Sequence, residues 1–204
     1  MAAFQEGIER VGRVRGQDGK LKTKELLDVC REVVVIVEKL GTGFALVKSD
    51  VGGNIDRLAT RAATNPAAYE PDIFQMVRDD VAAGSHMGSS SVTKGLLWLK
   101  RAMEFVVALL VKLAEDKGMS VSTAASESYY ATLQKFHGWI VTTTFTVALK
   151  LVPSRETFFA NLGADGQDDA TLQLMRQFCD AFSGLLGEVQ QFLASNDLDD
   201  PTKV

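Results

Sequence analysis

Residues 91–116 read SVTKGLLWLKRAMEFVVALLVKLAED. Trp98, Ala102, Phe105, Val106, Leu109, Leu110 and Leu113 recur at intervals of three and four, the spacing of one face of an α-helix. Lys100, Arg101, Glu104 and Lys112 take the other face. The stretch therefore predicts a long, strongly amphipathic helix from Ser91 to Asp116. The same period runs through the segments on either side, and none shows sustained alternation. Only four prolines interrupt the chain, and the glycines gather at the breaks. The expected fold class is all-α.

Upstream, a short helix at 2–14 ends at the Gly16–Gly19 turn, and Thr23 is read as the cap of a second helix that runs to Leu40. Gly41 and Gly43 break it. A third helix runs from about Phe44 to Ala62, Asn65-Pro66 marks a turn, and a fourth spans about Ala67 to Val81. The Gly/Ser-rich stretch Ala83–Ser91 is a loop, with His86 solvated in it. Downstream, a loop at Lys117–Ser122 precedes a sixth helix, about Thr123 to Leu151, that ends at Pro153. A short helix at Arg155–Leu162 and a long one at about Asp169–Ala194 follow, then an acidic stretch, Ser195–Val204. The 204 residues are read as one domain, 1–204, with a sizeable core.

Composition excludes several classes of function. The net charge of −4 argues against nucleic acid as a partner. Cys30 and Cys179 sit in apolar, helix-like contexts without metal spacing, as core thiols do in a reducing compartment. MAAFQEGIERVGRVR at 1–15 lacks an apolar signal core, and no apolar run approaches the ~18 residues of a membrane span. The expectation is a cytoplasmic protein that meets membranes only from their surface. No serine lies in a G-x-S-x-G turn, no histidine cluster has metal spacing, and no phosphate-cradling glycine loop precedes Lys-Ser/Thr. Asp50 with His137 could form an acid–base pair, but nothing supplies a nucleophile or an oxyanion site, so no enzyme is expected.

The chemistry gathers in Lys48–Arg57, KSDVGGNIDR. Asp50, Asn54 and Arg57 are spaced i, i+4, i+7, which on a helix places all three within an arc of about 60°. Val51, Ile55 and Leu58 form an apolar stripe beside them. Gly52 and Gly53 keep a third side free of bulk, although a helix interior has no propensity reason for two glycines. A carboxylate, an amide and a guanidinium in a row suit a polyhydroxyl ligand with a greasy far end; the spacing also fits an ordinary surface helix. Trp98 suits either core packing or a flat indole on which a sugar stacks. His137 shares a helical face with Tyr130, Leu133, Val141, Thr144 and Ala148, as a satisfied core histidine or a polar ring in a buried site. Trp139 points the other way, among Lys135, Thr143, Thr146 and Lys150, which fits a membrane interface or a protein partner.

Taken together, ALVKSDVGGNIDRL at 45–58, LLWLKRAMEF at 96–105, and KFHGWIV at 135–141 followed by Phe145, Ala148-Leu149 and Pro153 resemble the glycolipid transfer protein family. Their order and separations match over roughly residues 25–195. The resemblance implies a two-layer, all-α helical sandwich enclosing a hydrophobic lipid tunnel. It implies a monomeric carrier that moves a sphingolipid between membranes unchanged, with no cofactor or metal. The implied partners are a glycosphingolipid of the galactosyl-, glucosyl- or lactosylceramide type and, transiently, a membrane surface.

Residue by residue, the resemblance gives Asp50 and Asn54 the hydrogen bonds to the first sugar, and Asp50 also the ceramide amide N–H. Trp98 becomes the stacking surface for that sugar, and His137 the donor to the ceramide amide carbonyl. Arg57 stands where the family's glycolipid binders usually carry Lys, which keeps the charge but changes the geometry. Trp139 matches the tryptophan that docks on the bilayer. Phe44, Phe145, Phe158 and Phe178 fall at or close to tunnel-lining aromatic positions. Lys203-Val204 match the family pattern, but the aromatic before them is missing.

The energetics fit this division of labour. An acyl chain of about 16 carbons buried at ~0.8 kcal/mol per methylene gains on the order of 12 kcal/mol, whatever its headgroup. Discrimination falls to the polar residues, where each buried group left unsatisfied costs ~1–3 kcal/mol. The family's ceramide-1-phosphate branch carries basic residues at the positions of Asn54 and Trp98; an amide and an indole favour an uncharged sugar. The expected function is a glycosphingolipid carrier, with a ceramide-1-phosphate carrier or a non-transferring sphingolipid sensor as alternatives.

Overall fold

The computed structural model describes residues 2–204. The helices are α1 (Ala2–Val14), α2 (Thr23–Glu38), α3 (Ala45–Thr64), α4 (Pro66–Tyr69), α5 (Ile73–Ala82), α6 (Val92–Glu115), α7 (Val121–Thr132), α8 (Trp139–Ala148), α9 (Arg155–Asn161) and α10 (Asp169–Ser195). Single 3-10 turns sit at Thr42–Phe44 and Gln134–Phe136. Among the described residues the only β-type pairing is a lone bridge between Arg15 and Leu21.

α6 lies at the centre. It packs against α10 and α7 on one side and against α3, α2 and α5 on the other, while α1 lies on both α2 and α10. The helices form two rows, α1–α2–α3 and α10–α6–α7, laid face to face as a two-layer all-α sandwich. This arrangement corrects the reading of the polar face of residues 91–116. Lys100 and Arg101 are only 6% and 1% exposed, because α10 and the residues that follow it lie over that side of α6. Their charges are compensated by partners: Lys100 by Glu104 and Gln190, Arg101 by Asp199. Ser91 caps α6 by accepting from the Lys94 N–H.

Three expected elements differ. Thr23 does not cap α2; Lys22 holds that position, and the Thr23 hydroxyl donates instead to the Tyr69 carbonyl. The fourth segment is split into α4 and α5 around Pro71, with Asp72 capping α5. The sixth segment is split as well. α7 stops at Thr132, His137 is extended at φ −100° and ψ 134°, and Gly138 opens α8. Gly138 is a poor helix former, and the backbone on either side of His137 hydrogen-bonds Val204 rather than its own helix: Val204 N–H to Phe136 O, and Gly138 N–H to Val204 O.

Candidate functional site

α3 presents Asp50, Asn54 and Arg57 along one edge, while Val51, Ile55 and Leu58 are buried beside them. Asp50 is exposed as a residue, yet its carboxyl sits against walls that raise its pKa by desolvation; the Arg57 charge opposes the shift. A rim position, half walled and half open, accounts for both observations. Asn54 is 6% exposed, and its Nδ2 donates to the Asp50 carbonyl at 3.0 Å. That bond fixes the amide and leaves its oxygen and second N–H for a ligand. A Cβ added at Gly52 or Gly53 would meet nothing within 4 Å, so space stays open beside the polar row.

Arg57 reaches across to α6. Gly95 is buried, and a Cβ there would lie 3.1 Å from Arg57 Cδ. The glycine thus lets the side chain pass over α6, where Nη1 donates to the carbonyls of Ser89 and Ser91, each at 3.3 Å. Trp98 stands one turn beyond Gly95, and its ring lies 6.0 Å from that of His137 at an interplanar angle of 18°. So α3 carries Asp50, Asn54 and Arg57, Arg57 crosses to α6 at Gly95, and Trp98 on α6 lies beside His137 in the α7–α8 connection.

His137 is half-buried, and burial lowers its pKa, so the ring is neutral at pH 7. Tyr129 Oη lies 3.0 Å from Nδ1 and 3.4 Å from Thr142 Oγ1. The neutral tautomer in which the Tyr129 hydroxyl donates to Nδ1 carries its proton on Nε2, free to donate. Sequence reasoning missed Tyr129. Because α7 and α8 are separate helices, the helical face computed through residue 137 could not find it.

Beneath His137 the layers meet in an aromatic cluster. Phe145 stacks on Tyr129 at 4.2 Å and meets Phe44 and Phe105 edge-on, each at 5.4 Å. Its ring is 6.0 Å from His137. Phe145 therefore lies beside His137, and Phe44 and Phe105 pack on Phe145 in the interior. Phe158 is buried against Phe159, and Phe178 between Phe4 and Phe182. These two belong to other parts of the same core.

Trp139 opens α8 at 79% exposure. Ile140 and Val147 on the same helix, and Leu151 just beyond its end, are exposed as well. The surface is more apolar than expected, because Lys135 lies outside α8, with its Nζ 4.9 Å from the Phe136 ring centre. A groove of about 540 Å³ lies between α6, α7 and α10, but none of the five site residues lines it. Burial pushes both cysteine thiols up to about 12, so they stay protonated. Among the described residues no His/Cys/Asp/Glu group of three or more could hold a metal ion, and no helix is long and apolar enough to cross a membrane.

Such an arrangement, a polar recognition site above an apolar interior in an all-helical sandwich, defines a binding protein for an amphiphile. The family model for glycolipid transfer protein (GLTP) matches residues 21–164. Glycolipid transfer protein 1 of Arabidopsis thaliana is 36% identical over 197 residues, covering 97% of this chain and 96% of that protein. The chain belongs to the glycolipid transfer protein family. Among solved structures, the GLTP-fold of FAPP2, described as selecting simple glycosphingolipids, superposes with a TM-score of 0.85 at 29% identity, covering 96% of this chain and 95% of that one. Mouse ceramide-1-phosphate transfer protein in its apo form gives 0.86 at 20% identity, covering 97% and 98%. At that identity the likeness shows the fold alone, so the fold does not separate sugar carriers from phosphate carriers. The side chains of the site must.

Proposed function

We propose that this protein carries one glycosphingolipid at a time between membranes, unchanged, as a monomer on the cytoplasmic side. Its lipid has a neutral sugar head of the galactosyl-, glucosyl- or lactosylceramide type. The observation that carries this reading is that Tyr129 and Phe145 touch His137 from below while Trp98 lies alongside it. Ceramide's amide then falls at the boundary between the polar site and the grease. Asp50 and Asn54 accept and donate to the first sugar, Asp50 takes the ceramide N–H, Trp98 stacks on the sugar ring, and His137 Nε2–H donates to the amide carbonyl. Arg57 braces the 84–91 loop with one nitrogen and turns the rest of its fork toward the headgroup.

Phe44 and Phe145 are the first rings an acyl chain displaces, and Phe158 and Phe178 line its deeper path. Trp139, with Ile140 and Leu151, inserts at the bilayer surface. A phosphate head is disfavoured, because the buried cation nearest Trp98, Arg101, is already committed to Asp199. Vesicle-to-vesicle transfer of labelled glucosylceramide and ceramide-1-phosphate tests the reading: the sugar lipid moves faster. Faster transfer of the phosphate lipid reverses the choice of branch, and binding without transfer makes the protein a sensor.

A further inference from the structure

Arg101 is the largest fully buried side chain among the described residues, one helical turn or less from Trp98 on α6. Its guanidinium carbon lies 3.4 Å from the centre of the Phe136 ring and 5.1 Å from that of Trp98. Nη2 donates to Asp199 Oδ1 at 2.8 Å and to the Asp200 carbonyl at 2.7 Å. Nε and Nη1 are buried without partners, so the rings and Asp199 are what compensate this charge.

The segment that Arg101 grips is held at several further points. Asp197 turns the chain with a φ of 57°, and Leu198 is buried. Gln190 Nε2 donates to the other Asp199 oxygen at 2.8 Å, and Lys94 Nζ reaches Asp200 Oδ2 at 3.1 Å. Lys94 adjoins Gly95, over which Arg57 passes. At its far end, Val204 forms the two backbone bonds that bracket His137, of 3.0 Å with Phe136 and 2.6 Å with Gly138. A Cβ on Gly138 would come within 3.1 Å of the Val204 oxygen, so glycine permits this pairing. Burial alone would raise the Asp199 pKa, but the bonds from Gln190 and Arg101 outweigh it and hold the carboxylate ionised.

We infer that Arg101 is a positioning residue, which through Asp199 latches residues 199–204 to the helix that carries Trp98 while Val204 ties the same segment to the backbone on either side of His137. The segment touches the helix that carries the indole at one end and the backbone that carries the imidazole at the other. It therefore fixes the spacing between the group that reads the sugar and the group that reads the amide. Asp199 and Arg101 need not touch the lipid to set selectivity. This inference rests on the headgroup reading proposed above.

The test uses the full chain in a Trp139→Phe background, so that Trp98 is the only tryptophan. Asp199→Asn keeps the shape and removes the charge. The expected result is an unchanged far-ultraviolet helical signal, easier quenching of Trp98 by acrylamide, and glucosylceramide affinity reduced about tenfold, while sugar-free ceramide weakens about twofold or less. Arg101→Lys, which keeps the charge and loses the planar fork, falls between wild type and Asp199→Asn. Gly138→Ala acts at the opposite end and also exposes Trp98 to quencher and weakens glucosylceramide. Quenching and the lipid ratio both unchanged in Asp199→Asn overturn the inference. So does an equal loss for both lipids, the result a mere structural strut gives. If Asp199→Asn does not fold, Gly138→Ala decides by the same quenching measurement. If the unsubstituted chain shows no preference for glucosylceramide over ceramide, the headgroup reading has failed instead, and quenching, which needs no lipid, still judges the latch.

Discussion

The imidazole of His137 has two nitrogens, and Tyr129 occupies one of them at 3.0 Å. In the neutral ring the other nitrogen is a donor when the tyrosine proton points at Nδ1. Tyr129→Phe removes that direction and is expected to weaken glycolipid binding by roughly 1 kcal/mol, about fivefold, with the helical fold retained; isothermal titration with a short-chain glucosylceramide measures it. The depressed His137 pKa also sets a pH window. A base whose folded pKa is lowered contributes stability that is present above its ordinary value near 6.5 and is lost as pH falls through the folded pKa. Binding should follow the same course, constant at neutral pH and falling on acidification below 6.5, and His137→Gln should flatten that step. A pH profile identical in wild type and His137→Gln would remove the imidazole from the site.

At the scale of the element, α3 is built against its own stability. Gly53 shares the face of Asp50, Asn54 and Arg57, and a Cβ there would meet open space. Gly53→Ala should therefore stabilise the protein by ~0.5–1 kcal/mol, a melting temperature raised by a few degrees, yet slow glycolipid transfer by crowding the sugar. A rise in both would show that the glycine serves nothing in recognition. α8 makes the complementary case. Trp139→Ala removes an exposed ring, so folding should not suffer; lost interfacial burial of ~1–2 kcal/mol should slow vesicle exchange about tenfold, with little effect on lipid already bound.

The elements also show how far the sequence could be read. Helical periodicity located α6 and α10 almost to the residue, because each carries a long apolar stripe. It failed at residues 133–138, where no proline marks the break. What ends the helix there is backbone pairing with Val204, a contact more than sixty residues away in sequence. The burial of Lys100 and Arg101 was hidden for the same reason: charged residues read as a solvated face until α10 and the 199–204 segment are laid over them. The residues of the polar row were legible from spacing and resemblance, because one helix displays them. Tyr129, Gly95 and Arg101 were not, since their contacts exist only where helices meet.

For the whole molecule, the division between grip and choice is the claim that matters. The aromatic cluster of Phe44, Phe105, Phe145 and Tyr129 fills the interior beneath the site, so a lipid chain enters only by moving rings that are 4.2–6.5 Å apart. In the proposed function apolar burial supplies the affinity, and Asp50 decides which headgroups gain it. Its placement costs stability. A carboxylate whose folded pKa is raised contributes stability only below its unfolded value, and this is lost as pH rises through the folded pKa. Removing the charge should leave folding at neutral pH intact. The most direct measurement is the rate of glucosylceramide transfer between vesicles by Asp50→Val beside the unsubstituted protein. Transfer falling to background, with helical signal and melting temperature undiminished, is the predicted result; transfer at the unsubstituted rate would contradict it.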